Sequence, residues 1–213
     1  MYLLSKELWF PDPVNANADG ILALGGDLSV ERLLLAYRSG VFPWFSEGEP
    51  IIWWSPDPRM VLYLEEFKIS KSLKKIISQQ KFEITVNKQF EEVIRACAKV
   101  PRKGQEGTWI TTHMIDAYIE LHKAGHALSV EVWKDKDLVG GLCGIDLPEF
   151  GVFCGESMFS LVSDASKVGF VHLVSLLQKK NYKLIDCQVY TEHLERFGAR
   201  EIHRTAFLKY LTK

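Results

Sequence analysis

A carboxylate and a carboxamide two positions apart, Asp186 and Gln188, lie in the otherwise apolar run Leu184-Ile185-Asp186-Cys187-Gln188-Val189. A second carboxylate, Glu156, sits earlier in Gly155-Glu156-Ser157-Met158-Phe159-Ser160. Polar groups among apolar neighbours are costly unless they have partners or a task. In a strand, side chains alternate faces, so Leu184, Asp186 and Gln188 share one face and Ile185, Cys187 and Val189 the other. Asp186 and Gln188 would then stand roughly 7 Å apart along that face. Such a pair can orient and deprotonate an attacking amine or hold a developing charge. A strand end with a solvated Asp and Gln explains the same spacing. Glu156 is expected just past a strand, where Gly155 would allow close approach of a ligand. It is either a carboxylate that grips a cationic substrate group or an ordinary turn acid. Glu131 is a further inward candidate, and alternation alone leaves its face open.

Aromatic residues and lysines form the next signals. Trp44, Trp53 and Trp54 fall close together, and Trp109 lies in Gly107-Thr108-Trp109-Ile110-Thr111. Loop aromatics stack on nucleobases, at roughly 1–3 kcal/mol per base, or pack an interdomain core. Over residues 68–77, helical spacing gathers Lys68, Lys71, Lys74 and Lys75 on one stripe opposite Ile69, Leu73, Ile76 and Ile77. That stripe suits a phosphate backbone or is a solvated face. The histidines lack metal spacing, since Gly125 separates His122 from His126, and no metal site is expected. Glycine-rich nucleotide loops, nucleophile elbows and zinc-protease motifs do not occur.

These residues need a scaffold. Residues 10–60 are rich in Pro, Gly and Trp and predict one helix, capped by Ser29 and ended by Gly40. Further helices are predicted at 69–80, at 88–99 with Asn87 as cap, and at 113–124 between Thr112 and Gly125. Strands follow at 128–133, 138–142 and 151–155. A strongly apolar helix at 165–179 leads to a strand at 184–189, a helix at 191–197 and a last strand near 206–211. The expected architecture is α+β: a small N-terminal domain over 1–62, then a catalytic domain over 63–213 with a mixed sheet flanked by helices.

The chain has 213 residues, four scattered cysteines and a net charge of −1. Polyanion binding must therefore rest on a local patch. The cysteines suggest neither a zinc site nor a disulfide framework. Residues 1–9 lack the pattern of a signal peptide, and no apolar run reaches membrane-spanning length. A cytoplasmic protein is the expectation.

Two stretches resemble the GCN5-related N-acetyltransferase (acyl-CoA N-acyltransferase) fold. Ser129-Val130-Glu131-Val132-Trp133 followed by Leu138-Val139-Gly140-Gly141 is similar to its central hairpin. The run from Glu192 to Glu201 is similar to its late helix-to-strand segment. The place of its cofactor loop reads Ser160-Leu161-Val162-Ser163-Asp164-Ala165-Ser166-Lys167, without glycine, which argues against coenzyme A. A closer resemblance covers nearly the whole chain. Its segments are Leu22-Ala23-Leu24-Gly25-Gly26-Asp27-Leu28-Ser29, Gly40-Val41-Phe42-Pro43-Trp44-Phe45, Trp53-Trp54-Ser55-Pro56-Asp57-Pro58-Arg59, Glu106-Gly107-Thr108-Trp109-Ile110-Thr111, Phe153-Cys154-Gly155-Glu156-Ser157-Met158-Phe159-Ser160 and Leu184-Ile185-Asp186-Cys187-Gln188. In this order they resemble the leucyl/phenylalanyl-tRNA–protein transferases.

The resemblance implies transfer of Leu or Phe, with Met also open, from an aminoacyl-tRNA to a protein with N-terminal Arg or Lys. This is the N-end rule route to degradation, and it requires no cofactor. It implies Asp186 and Gln188 as the catalytic pair and Glu156 as the pocket carboxylate facing the acceptor. Trp44 and Trp109 would hold the terminal adenosine of the tRNA. Leu142, Phe153, Met158, Phe170, Leu173, Leu177 and Ile185 would line the pocket for the transferred side chain. Lys71, Lys74 and Lys75 would meet the tRNA stem. The chain has Asp164 where the family often has Asn. A monomer is expected, with no membrane partner. Two rival classes are a coenzyme A–dependent acyltransferase and a non-enzymatic tRNA-binding module.

Overall fold

The computed structural model describes residues 1–100 and 108–212. Its elements are β1 (Tyr2–Leu4), β2 (Ile21–Gly25), α1 (Val30–Arg38), β3 (Phe42–Pro43), β4 (Ile52–Trp54), β5 (Arg59–Tyr63), α2 (Lys71–Ser78), β6 (Glu83–Val86), α3 (Phe90–Lys99) and α4 (Thr112–Lys123). They continue through β7 (Ala127–Lys134), β8 (Asp137–Leu147), β9 (Val152–Ser160), α5 (Ala165–Lys179), β10 (Leu184–Gln188), α6 (Glu192–Glu195), β11 (Arg200–Ile202) and α7 (Arg204–Leu208). The fold is α+β, as expected.

The strands form two sheets. A small one has the order β1-β2-β4-β3, and a larger one the order β11-β5-β10-β9-β8-β7-β6. In the larger sheet β9 and β10 run parallel and their neighbours antiparallel, so it is mixed. Its faces carry different apolar layers. On one, Val61, Val93, Tyr118, Ile145 and Phe159 join Leu33, Tyr37, Phe42 and Trp53 in a single core. On the other, Leu62, Val130, Leu142, Phe153 and Ile185 pack with Phe170, Leu173 and Leu177 of α5. The sheet is thus covered on both sides, with the N-terminal segment, α3 and α4 opposite α5.

Several local expectations change. Ser29 caps α1, and Gly40 beyond its end has φ +75°, which glycine tolerates without a Cβ clash. Asn87 does not cap α3. It adopts φ +56° and accepts the Ser129 N–H through its side chain, and α3 starts after Gln89. Thr111, rather than Thr112, caps α4 by accepting the Met114 N–H. Residues 206–211 are not a strand: they lie in α7 and a following 3-10 turn, Lys209–Leu211. Phe207 and Leu211 are both buried at a separation of four, a helical period. The C-terminal strand is instead β11, which pairs with β5. Strands β1, β2, β5 and β6 have no counterpart among the expected strands; each spans three to five residues and offers few alternations to count. β9 extends to Ser160, which places Glu156 inside a strand and not beyond one.

Candidate active site

β9 and β10 pair from Leu184 and Val152 to Asp186 and Cys154. Past that point both are bulged. Against β8, Cys143 pairs with Ser157 and Gly144 with Gly155, so Glu156 is the extra residue. Against β5, Asp186 pairs with Val61 and Gln188 with Met60, so Cys187 is extra. Bulges bend a strand and re-aim side chains. Two of them side by side end the pairing where a cleft begins.

The cleft encloses about 590 Å³. Leu142, Phe153, Met158, Phe170, Leu173 and Ile185 line it as an apolar wall, while Phe42, Pro43, Trp44 and Trp109 add aromatic surface. Gly155, Glu156, Ser157 and Gln188 provide polar lining, and Tyr190, Thr191, His193 and Leu194 close another side. Six of the seven expected side-chain-pocket residues therefore meet here. Leu177, one turn beyond Leu173, is buried in the core and does not line the cleft.

Glu156 is held on both oxygens. Gln188 Nε2 donates to Oε1 at 2.8 Å, and the Tyr118 hydroxyl donates to Oε2 at 3.1 Å. Tyr37 hydrogen-bonds Tyr118 behind it. These tyrosines come from α4 and α1, so elements far apart in sequence converge on one carboxylate. Burial pushes the Glu156 carboxyl up to about 7, and the Asp186 charge adds to the rise. Hydrogen bonds from the tyrosines and Gln188 oppose it. Burial and the Glu156 charge raise both tyrosines well above the ordinary phenol range, so they stay protonated donors. Neither tyrosine stands out in the sequence, because each sits among the buried, mostly apolar positions of its helix, Tyr37 in α1 and Tyr118 in α4.

Asp186 behaves differently. Its side chain is 1% exposed and does not line the cleft. Arg59, equally buried, donates from Nε to Oδ1 at 2.8 Å and from Nη2 to Oδ2 at 2.7 Å. The guanidinium lies over the Phe42 and Phe207 rings, at 4.8 and 4.7 Å from their centroids. Asp186 Oδ1 also accepts the Gln188 backbone N–H at 3.0 Å. Gln188 has φ +65°, unusual for a residue with a side chain.

The tryptophans divide. Trp53 is fully buried, donates to the Gly25 carbonyl and packs edge-on against Phe10. Trp54 donates to the Trp44 carbonyl and tilts against its ring. Trp44 and Trp109 line the cleft. Glu106 and Gly107 of the Trp109 motif lie outside the described residues. Lys71, Lys74 and Lys75 are exposed on α2, which Ser70 caps. Glu131 is fully buried and faces α3, accepting from Thr85, Ser129 and the Gln89 N–H, so it ties β6 and α3 to the sheet. Asp164 has φ +68° and pairs with Lys167 at 2.7 Å. Among the described residues, no helix is long and apolar enough to cross a membrane.

The family profile for the leucyl/phenylalanyl-tRNA protein transferases matches residues 61–212, and the profile for their N-terminal domain matches 26–57. The leucyl/phenylalanyl-tRNA–protein transferase of Flavobacterium johnsoniae is 60% identical, with 99% of each chain covered. That of Flavobacterium psychrophilum is 54% identical, with 100% of each covered. Among solved structures, the L-PGS of Bacillus licheniformis overlaps with a TM-score of 0.43 at 14% identity, covering 81% of this chain and 56% of that one. This overlap is too low to carry an argument. On the two profiles and the full-length relatives, the chain belongs to the leucyl/phenylalanyl-tRNA–protein transferase family.

Proposed function

We propose that this protein transfers a leucyl or phenylalanyl group from aminoacyl-tRNA to the α-amine of a protein whose N-terminal residue is Arg or Lys, as in the N-end rule pathway. The observation that carries this reading is Glu156: a carboxylate in the wall of a largely apolar, aromatic-lined cleft. An Arg or Lys side chain is the natural partner for such a carboxylate, and an apolar wall accepts Leu, Phe or Met. Trp44 and Trp109 offer rings to the terminal adenosine. Leu142, Phe153, Met158, Phe170, Leu173 and Ile185 take the transferred side chain, with Leu177 supporting them from the core. Lys71, Lys74 and Lys75 meet the tRNA stem.

The ester linking amino acid to tRNA is already activated, so placement and charge handling are the main tasks. The neutral α-amine adds to the ester carbonyl, the C–O bond to the ribose breaks, and an amide C–N bond forms. The proton lost by nitrogen ends on the released ribose hydroxyl. Gln188 gives its amide N–H to Glu156, which leaves its carbonyl oxygen to accept from the amine. Asp186 has both oxygens on Arg59. That arrangement favours an orienting part for Asp186 over proton acceptance. Asp186, Gln188 and Glu156 remain the proposed catalytic group, with Asp186 acting from behind the strand.

We further propose a domain division near residue 62 and an acetyltransferase-like topology for the C-terminal part. A monomer working in the cytoplasm without a cofactor completes the reading. The test is transfer of labelled Leu from charged tRNA to an Arg-ended peptide. Labelled peptide should form with Arg or Lys at the N-terminus and not with Asp or Gly. Absence of transfer to the Arg- and Lys-ended peptides would sink the proposal.

A further inference from the structure

The Arg59–Asp186 pair lies behind the cleft and makes no use of the lysine face, the tryptophans or the apolar wall. We infer that Arg59 is a positioning residue: its fork fixes Asp186 on the closed side of β10, and through Asp186 fixes the left-handed backbone that delivers Gln188 to Glu156. The inference rests on the transferase reading for its meaning in turnover, but its geometry stands independently.

The chain of contacts is continuous. Arg59 binds both Asp186 oxygens. One of those oxygens accepts the Gln188 N–H. Gln188, at φ +65°, then donates its side-chain amide to Glu156. A backbone in this region costs about 1–3 kcal/mol and persists only where its surroundings enforce it. The bulge at Cys187 removes the regular ladder that would otherwise do so, so the Asp186 oxygen restrains it together with the Val189 N–H, which donates to the Cys187 carbonyl across Gln188 at 2.8 Å.

Arg59 itself is over-determined. Phe42 from the small sheet and Phe207 from α7 both set a ring against its guanidinium. Its Nη1 is buried and makes no hydrogen bond among the described residues. The two rings partly compensate that unpaired donor. A staple serving stability alone could be apolar, since well-packed hydrophobic replacements of buried ion pairs are often neutral or stabilising.

Arg59 also opposes the field of Asp186, part of which still reaches Glu156. The groups that act on Glu156 are Tyr37 from α1, Tyr118 from α4, and Gln188 and Asp186 from β10, while Cys154 on its own strand senses both carboxylates. Cys143 from β8 acts on Tyr118. None of these is a cation. The Arg59 charge reaches Cys154 and Cys187 on both strands, and Asp186 is the group it pairs with.

The test reads Glu156 directly by carbon-13 carboxyl NMR titration, with the resonance assigned by its loss in Glu156→Gln. In Arg59→Met the uncompensated Asp186 should raise the titration midpoint by ~1 pH unit, a tenfold change in ionisation constant. Arg59→Lys keeps the charge but not the fork, so the midpoint should stay within about threefold of wild type while kcat falls at least ~10-fold and acceptor KM holds. Arg59→Met combined with Asp186→Asn should bring the midpoint back to wild type or below. An unmoved midpoint in Arg59→Met, or normal kcat in Arg59→Lys, overturns the inference. Should Arg59→Met not fold, the Arg59→Lys kcat and the paired variant's midpoint decide alone. A wild-type protein that titrates in this way yet transfers no amino acid would refute the transferase reading and leave the electrostatic coupling intact.

Discussion

Glu156 stores free energy that a cationic ligand can release. Its folded carboxyl titrates at about 7 because burial disfavours the anion. In the unfolded chain it returns to the ordinary carboxylate range near 4.3. Between these values the folded state holds a proton that the unfolded state has lost. The associated stability is fully present below the unfolded value and drains away as pH rises through 7. Its size is about 3–4 kcal/mol. Glu156→Gln should lack this loss, so urea denaturation should show the variant gaining on wild type from about pH 4.5 to 7 and holding level above pH 8. A constant difference across that range would contradict the buried-carboxyl account. In transfer assays the same variant should raise KM for Arg- and Lys-ended peptides by about tenfold or more, since charged hydrogen bonds contribute about 1.5–3 kcal/mol. KM for aminoacyl-tRNA should not change.

At the level of elements, the site depends on two neighbouring bulges and on the small residues that permit them. Gly144 lies beside the β8–β9 bulge. A Cβ there would sit 2.2 Å from the Cys154 carbonyl oxygen and 2.5 Å from Phe153 Cζ. Neither neighbour can retreat easily, because Cys154 pairs with Asp186 across β10 and Phe153 is fully buried. Gly144→Ala should therefore cost ~1–3 kcal/mol through overpacking, read from the urea midpoint. Transfer activity should fall beyond what the loss of folded protein explains, since the bulge aims Glu156. Full activity per folded molecule would mean that the bulge is incidental. Local patterns foretold α1, α5 and the β7–β8 hairpin because each is long enough to repeat its period or carries a capping residue. The bulges left no such trace, since one extra residue in a strand reads like any other alternating residue until its partner strand is known.

Across the whole molecule, charge is nearly balanced, with 26 Lys and Arg against 27 Asp and Glu. Binding to a tRNA stem must then come from a patch, and the exposed α2 lysines are the proposed one. Replacing Lys71, Lys74 and Lys75 with Ala should reduce the slope of log affinity for tRNA against log salt by about 2–3. KM for a minimal aminoacyl-adenosine donor, which lacks the stem, should not change. An unaltered slope would place the stem elsewhere. The two sheets share one apolar core, and the site draws on both: Tyr37 and Phe42 come from the N-terminal segment, Tyr118 from α4 and Phe207 from the C-terminal helix.

The amino-acid sequence by itself determined the α+β class, most helices, the strand carrying Asp186 and Gln188, and, through six ordered motifs, the family. These are properties of local periodicity and residue type. What each carboxylate does was decided by tertiary contacts. Asp186 and Arg59 stand 127 positions apart, and nothing near Asp186 announces that both its oxygens are occupied. Glu156 likewise takes its charge state from burial, opposed by hydrogen bonds from Tyr37, Tyr118 and Gln188, and these groups meet only in the folded chain. A carboxylate's proton and direction depend on burial and on the groups facing it in space, and spacing along the chain carries neither.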